Sequence, residues 1–246
     1  MADEEDNVFK EMIVSKLFNP SKEDKVFDKD KFERVYSTDL ELDSLVLLSD
    51  SMDETDKQAV VFFHGNYGNV TWYTQKMVLF ASKYPKADIW TFDYPGFGKS
   101  RGTMTTTSML DKAYQFLKAL QSKYTSWTWV GESIGAAVAM GVLHRKEPLW
   151  YLPSHVTLIN SFSSIGSMAH DENPLGSILV EKFDFEMKPK KWIETCKKHY
   201  KDKMPKLTVC RAINDDKIPM KHTRKLADAA GVTISSIEGD HFNYIL

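Results

Sequence analysis

The pentapeptide Gly131-Glu132-Ser133-Ile134-Gly135 constrains this chain more than any other segment, because of what stands on either side of it. Before it runs the apolar WTWV of residues 127–130, with the character of a buried strand. After it comes GAAVAMGV (residues 135–142), whose small apolar residues suit a helix packed closely on that strand. The predicted order is strand, tight turn, helix. Flanking glycines let strand and helix approach without Cβ clashes, and the serine then projects from a strained turn at the carboxyl edge of a sheet. A serine that merely caps the helix is the plainer alternative. The pattern alone is short enough to recur by chance, so its flanks carry the weight.

The rest of the chain repeats that alternation. Strands are predicted at 40–48, 59–63, 89–92, 127–130, 156–159, 207–212 and 232–237, and helices near 70–84, 133–144 and 219–230. A further helix carries Met109, Ala113, Phe116, Leu117 and Leu120. Strand and helix in turn imply an α/β fold, a mostly parallel central sheet with helices on both faces. Residues 161–205 are too long for a simple crossover, and NPLG (173–176) breaks them, so they are predicted to be a small cap insertion. Residues 1–30, charged and without periodicity, are expected to form a mobile N-terminal arm before a single domain over 31–246.

Composition excludes several classes. Thirty-two Lys and Arg against 34 Asp and Glu leave a net charge of -2, without the positive excess a general nucleic-acid binder needs. Cys196 and Cys210 are the two cysteines, so no disulfide framework or CxxC zinc site is implied. The N-terminus opens acidic and Ala2 stands where myristoylation requires glycine. No apolar run approaches the 18 or so residues of a membrane span. The expectation is a soluble, cytoplasmic protein.

A nucleophilic hydroxyl needs a base, and the base an orienting acid, both from the carboxyl ends of other strands. After LTVCRA comes Asn214-Asp215-Asp216, and after TISSI comes Glu238-Gly239-Asp240-His241. The candidate triad is Ser133, Asp215 and His241, in the chain order of an α/β-hydrolase elbow, with Asp216 as the alternative acid. Of the seven histidines only His241 follows a late strand in a glycine-containing turn. A developing oxyanion also needs backbone N–H donors; Ile134 and, in the loop His64-Gly65-Asn66-Tyr67-Gly68-Asn69, Asn66 are the candidates.

These residues resemble the α/β-hydrolase superfamily of serine hydrolases over roughly 35–246. The likeness is greatest to the branch with an HGN oxyanion loop that holds monoglyceride-lipase-like and protein-depalmitoylase-like members. The segments that carry it are His64 to Asn69 and Asp93-Tyr94-Pro95-Gly96-Phe97-Gly98-Lys99-Ser100. Ser161-Phe162-Ser163-Ser164-Ile165 and Ala212-Ile213-Asn214-Asp215 are similar to further segments of that branch, and the latter favours Asp215 over Asp216. The resemblance implies hydrolysis of an ester or thioester of a lipid-like molecule or acylated protein, with no metal or organic cofactor. Two departures stand out. Leu246 comes five residues after His241, where such proteins have a closing helix, and Asp240 replaces a small residue, placing a carboxylate that either raises the imidazole pKa or competes with Asp215 for its N–H.

Tyr67 and, in the insertion, Phe183, Phe185, Met187 and Trp192 are candidate acyl-lining residues; a cap packing its own core is the alternative for the last four. Eight lysines between Lys188 and Lys206 suit peripheral contact with an anionic membrane, or are simply a solvated helix face. A non-catalytic binding protein on the same fold, or a serine peptidase, are the competing functions.

Overall fold

The computed structural model describes residues 18–51, 53, 55–145, 152–172 and 176–246. The first 17 residues of the expected arm lie outside them. Eight strands form one sheet: β1 (Glu33–Ser37), β2 (Leu42–Leu47), β3 (Gln58–Phe63), β4 (Ala87–Phe92), β5 (Ser126–Glu132), β6 (His155–Ile159), β7 (Lys206–Asn214) and β8 (Ile234–Asp240). Their spatial order is β8-β7-β6-β5-β3-β4-β2-β1. All pairs from β4 to β8 are parallel, and β2 is antiparallel to both neighbours. The order reverses at β3, so the carboxyl ends of β3 and β5 lie side by side, where open α/β sheets present their sites.

The helices are α1 (Thr74–Lys83), α2 (Thr106–Gln121), α3 (Ile134–Leu143), α4 (Ile165–Glu172), α5 (Gly176–Lys182), α6 (Pro189–Tyr200) and α7 (Met220–Ala230). One face of the sheet packs on α2, α3, α6 and α7 through Trp129, Met109, Leu117, Ile193 and Leu226. The other packs on α1, with Phe62, Met77 and Phe80 at its centre. Every residue of α3 is buried, which is why its sequence has no polar stripe. Thr105 and Ser108 close a reciprocal capping box at the start of α2, a device that contributes about 1 kcal/mol. No helix among the described residues is long and apolar enough to cross a membrane.

The end of the expected arm is structured. Phe18 is buried with its ring 5.7 Å from that of Phe185, and Asn19–Pro20 pairs in parallel with Tyr67–Gly68. The Asn69 amide donates to the carbonyls of Ser21 and Glu23, so the loop after β3 holds residues 19–23. Lack of periodicity marked the segment as irregular, but an irregular segment is fixed when its backbone finds such partners.

The insertion is anchored by a polar chain through the buried His222. Ser163 Oγ lies 2.8 Å from His222 Nδ1, and His222 Nε2 lies 3.0 Å from Asp171 Oδ2, joining the start of the insertion and α4 to α7. Lys221 adds an ion pair to Asp171 at 2.6 Å. With Asp171 accepting from Nε2–H, Nδ1 is left to accept the Ser163 hydroxyl. Burial pushes His222 below its usual value, and the same cause lowers His144 and His155. A base depressed in the fold stabilises above its unfolded value and is destabilising as pH falls below it, because the unfolded chain then binds the proton. Thermal melts should therefore show Tm falling as pH drops from 7.5 to 5.5, with a smaller drop in His222→Gln.

Candidate active site

Ser133 sits between β5 and α3 with φ 53° and ψ -118°, one of five non-glycine residues at positive φ among those described. The glycines around it are required by close approach. A Cβ on Gly131 would stand 2.4 Å from Ala136 Cα, and one on Gly135 2.0 Å from the Phe63 carbonyl oxygen, contacts that backbone cannot yield. The sequence therefore closes strand, turn and helix tightly, and the turn sets the serine, itself buried, at the sheet edge.

Segment 159–161, at the end of β6, ties this turn to the later strands. The Ser133 N–H donates to Ile159 O (2.8 Å) and the Ser161 hydroxyl to Ser133 O (3.0 Å). Asn160, itself at φ 48°, donates through Nδ2 to the carbonyls of His241 (3.1 Å) and Asp240 (3.3 Å) and accepts the Ala212 N–H through Oδ1 (2.8 Å). The turns carrying Ser133 and His241 are thereby stitched to one three-residue segment.

Asp215 and His241 meet directly, with His241 Nδ1 2.9 Å from Asp215 Oδ1. Burial works against ionisation of Asp215, but the hydrogen bond to His241, joined by the N–H groups of Ile218 and Lys217, outweighs it. The carboxyl is held below the usual aspartate value. Asp216, the alternative acid, is exposed and pairs with Lys217 at 3.3 Å. No hydrogen bond joins Ser133 Oγ to His241 among the described residues; such contacts commonly tighten when substrate binds.

Sequence reasoning passed over Arg211. Its buried guanidinium donates to Asp215 Oδ2 (3.3 Å), to the carbonyls of Asp215 (2.7 Å) and Ile218 (2.6 Å) and to Thr223 Oγ1 (3.2 Å), fixing the acid turn on α7. An arginine inside the apolar run LTVCRA was the available signal.

Asp240 does not compete for the imidazole as expected. Its carboxylate accepts the N–H groups of Phe242 and Asn243, both at 2.8 Å, and these bonds hold it below its usual value. It caps its own turn. Residues 241–246 fold back on β8 through Asp240 N–H to Asn243 O (2.7 Å) and Ile245 N–H to Glu238 O (3.0 Å).

Ile134 is the first residue of α3, with its N–H at the helix N-terminus, and Asn66 stands in the loop after β3, its carbonyl accepting the Asn19 N–H at 2.8 Å. Inside that loop His64 is fully buried, with Nδ1 2.7 Å from Gly65 O and Nε2 3.3 Å from Asp93 Oδ1. The Asp93 carboxylate in turn accepts the Val70 N–H at 2.9 Å, so the two signature segments HGNYGN and DYPGFGKS pack as one unit.

The acyl-lining candidates divide. Tyr67 is exposed, with its ring 6.1 Å from that of Phe242 beside His241. Phe185 and Met187 are 0% exposed and belong to the core, so they offer a substrate no surface. Phe183 packs on the same core with Lys182 over its ring. Trp192 stacks on His144 and presses on Gly141, eight residues along α3 from Ser133, or about 12 Å of helix. These four pack inward onto the cluster that covers this face of the sheet. Exposed apolar side chains at the sheet's carboxyl edge are instead Tyr67, Ile213, Met220 and Phe242. An open hollow of about 830 Å³ lies at the opposite edge, lined by residues such as Phe32, Leu47 and Ala87, and none of the candidate triad borders it.

The fold defines the class of protein, and the comparisons agree. The family described as alpha/beta hydrolase fold matches residues 58–184, and the chain belongs to it. It is similar to an uncharacterized protein, R595, of Acanthamoeba polyphaga mimivirus, at 26% identity over 223 residues, covering 82% of this chain and 71% of that protein. Among solved structures it resembles the Pyrococcus furiosus esterase Pf2001, with TM-score 0.64 and 16% identity over 92% of this chain and 90% of that one. It also resembles Est1E from Butyrivibrio proteoclasticus, with TM-score 0.62 and 12% identity over 86% and 90%. A third is the Thermogutta terrifontis esterase Est2 bound to propionate, with TM-score 0.58 and 15% identity over 87% and 85%. At these identities the likeness to the esterases is one of fold.

Proposed function

We propose that this chain is a serine hydrolase of carboxylic esters or thioesters, acting through Ser133, His241 and Asp215. The observation that carries the reading is the 2.9 Å contact between His241 Nδ1 and Asp215 Oδ1 at the sheet edge that presents Ser133 from a strained turn. Asp215 accepts Nδ1–H and so leaves Nε2 free of a proton to act as base. Ser133 Oγ attacks the acyl carbon as its proton passes to Nε2. The oxyanion is met by the N–H groups of Ile134 and Asn66, each such donor worth about 3 kcal/mol in measured cases. The imidazolium then protonates the leaving group, and a water activated by His241 releases the acid from the acyl-enzyme.

Esterase fold neighbours and the HGN-loop resemblance support an acyl substrate of lipid-like or acyl-protein type, and Tyr67, Phe242, Ile213 and Met220 supply apolar surface at that edge for the acyl chain. Of the eight lysines expected to suit an anionic membrane, Lys188, Lys190 and Lys197 are engaged within the fold, by Glu181, Glu194 and the α7 carbonyls of Ala229 and Ala230, while Lys198, Lys201, Lys203 and Lys206 stand at the amino end of β7, the sheet edge away from Ser133.

A fluorophosphonate probe tests the chemistry. Ser133 should be labelled in the natural chain and Ser163 should not, since His222 turns Nδ1 rather than Nε2 to that serine and is itself fully buried. p-Nitrophenyl esters should turn over faster than matched anilides. A folded chain that neither labels nor turns over ester would be a binding protein on this fold, and preference for the anilide would make it a peptidase.

A further inference from the structure

Glu132 fills the variable position before Ser133, ends β5 and is 1% exposed. Its side chain lies on the α1 face of the sheet. Lys76 Nζ makes a close ion pair with Oε2, and the Tyr244 hydroxyl donates to the same oxygen at 2.5 Å. The Lys76 ammonium stands 4.4 Å from the centre of the Tyr244 ring and 5.6 Å from that of Tyr73. On its other side the carboxylate abuts the loop after β3, with Oε1 3.0 Å from where a Cβ on Gly65 would be. One buried carboxylate thus touches the loop that carries Asn66, the turn that carries Ser133 and the segment that follows His241.

Such a carboxylate is tolerable as an ion only when paired. Left alone, it would oppose negative charge developing beside Ser133. We propose that Glu132, clamped by Lys76 and Tyr244, is a positioning residue that fixes the His241 turn and the loop 64–69 against the serine turn, with Lys76 cancelling its charge. The inference rests on the roles proposed for Ser133 and His241. The groups facing Glu132 are Lys76 on α1, Tyr73 just before it, Tyr94 after β4 and Tyr244 after β8. Burial, reinforced by Glu132, holds the Tyr244 phenol well above its usual value, so it remains a donor; the Tyr73 hydroxyl is engaged with Tyr67 O at 2.6 Å.

The test is p-nitrophenyl butyrate turnover against pH by the full chain and its variants. Tyr244→Phe keeps the ring and removes the bond; kcat should fall about tenfold with KM unchanged, the size of effect that small misplacements of a catalytic group produce. Lys76→Met should move the acid limb of kcat/KM to higher pH, because the unpaired carboxylate favours the imidazolium, and Lys76→Met/Glu132→Gln should restore it. If Lys76→Met does not fold, the near-isosteric Tyr244→Phe and Glu132→Gln decide by kcat. Natural kcat and an unmoved pH profile in these variants would overturn the clamp while Ser133→Ala, measured alongside, is inactive. Retained turnover in Ser133→Ala would overturn the triad reading itself and the clamp with it.

Discussion

Ser133→Ala is expected to lower kcat for ester hydrolysis by about 10⁶-fold, and Ser133→Gly, equally inactive, to be more stable than the natural chain by about 1 kcal/mol. The first effect follows from removing the only atom of the proposed site that bonds to the acyl carbon. The second follows from the backbone. At φ 53° and ψ -118° a side chain is held in a region that glycine enters freely, and such strain costs roughly 1–3 kcal/mol. Glycine also loosens the unfolded chain, which takes back about 0.4–1 kcal/mol, so relief wins by a modest margin. Ser133→Ala keeps the strain and should unfold at close to the natural urea midpoint. A Ser133→Gly variant less stable than Ser133→Ala would mean that the turn stores no strain. The two substitutions together separate what the serine oxygen does from what its backbone costs.

How much of this was legible in the sequence depends on the range of the interaction concerned. The parallel core and the helices from 74 to 143 were readable because burial on both faces writes apolar runs such as AVVFF and GAAVAMGV into the chain. The strand Glu33–Ser37 was not, since an edge strand with exposed Glu33 and Tyr36 has no such run. The order of β3, β4 and β5 across the sheet has no local signature either. Within the site, Ser133, Asp215 and His241 stood out by position at strand ends. Glu132, Arg211 and Asn160 did not, although two of them are charges embedded in apolar runs. Their partners are distant in sequence, Lys76 and Tyr244 for Glu132, and such pairings leave no periodic trace. The acyl-lining expectation failed for Phe185, Met187 and Trp192 for a related reason. A large apolar side chain in an insertion looks the same in sequence whether it faces a cleft or the core beneath it.

The choice between the two adjacent carboxylates yields the second large effect. Asp215→Asn should lower kcat by about 10⁴-fold, and Asp216→Asn should leave it within twofold. Asp215 accepts from Nδ1 and so leaves Nε2 able to take the serine proton. An asparagine placed there can turn its NH₂ to Nδ1, which puts the ring proton on Nε2 and removes the base. Asp216, exposed and paired with Lys217, has no such hold on the ring. The pH dependence should change with it. The natural carboxyl is held below its usual value, so it contributes stability above the unfolded aspartate value and loses it as pH falls through the folded one. Asp215→Asn should therefore flatten the acid part of a Tm-against-pH curve. In the residual activity the acid limb should move to lower pH, since the imidazolium has lost its counter-charge. Equal losses in Asp215→Asn and Asp216→Asn would show that the turn's backbone, and not one carboxylate, is what the site requires.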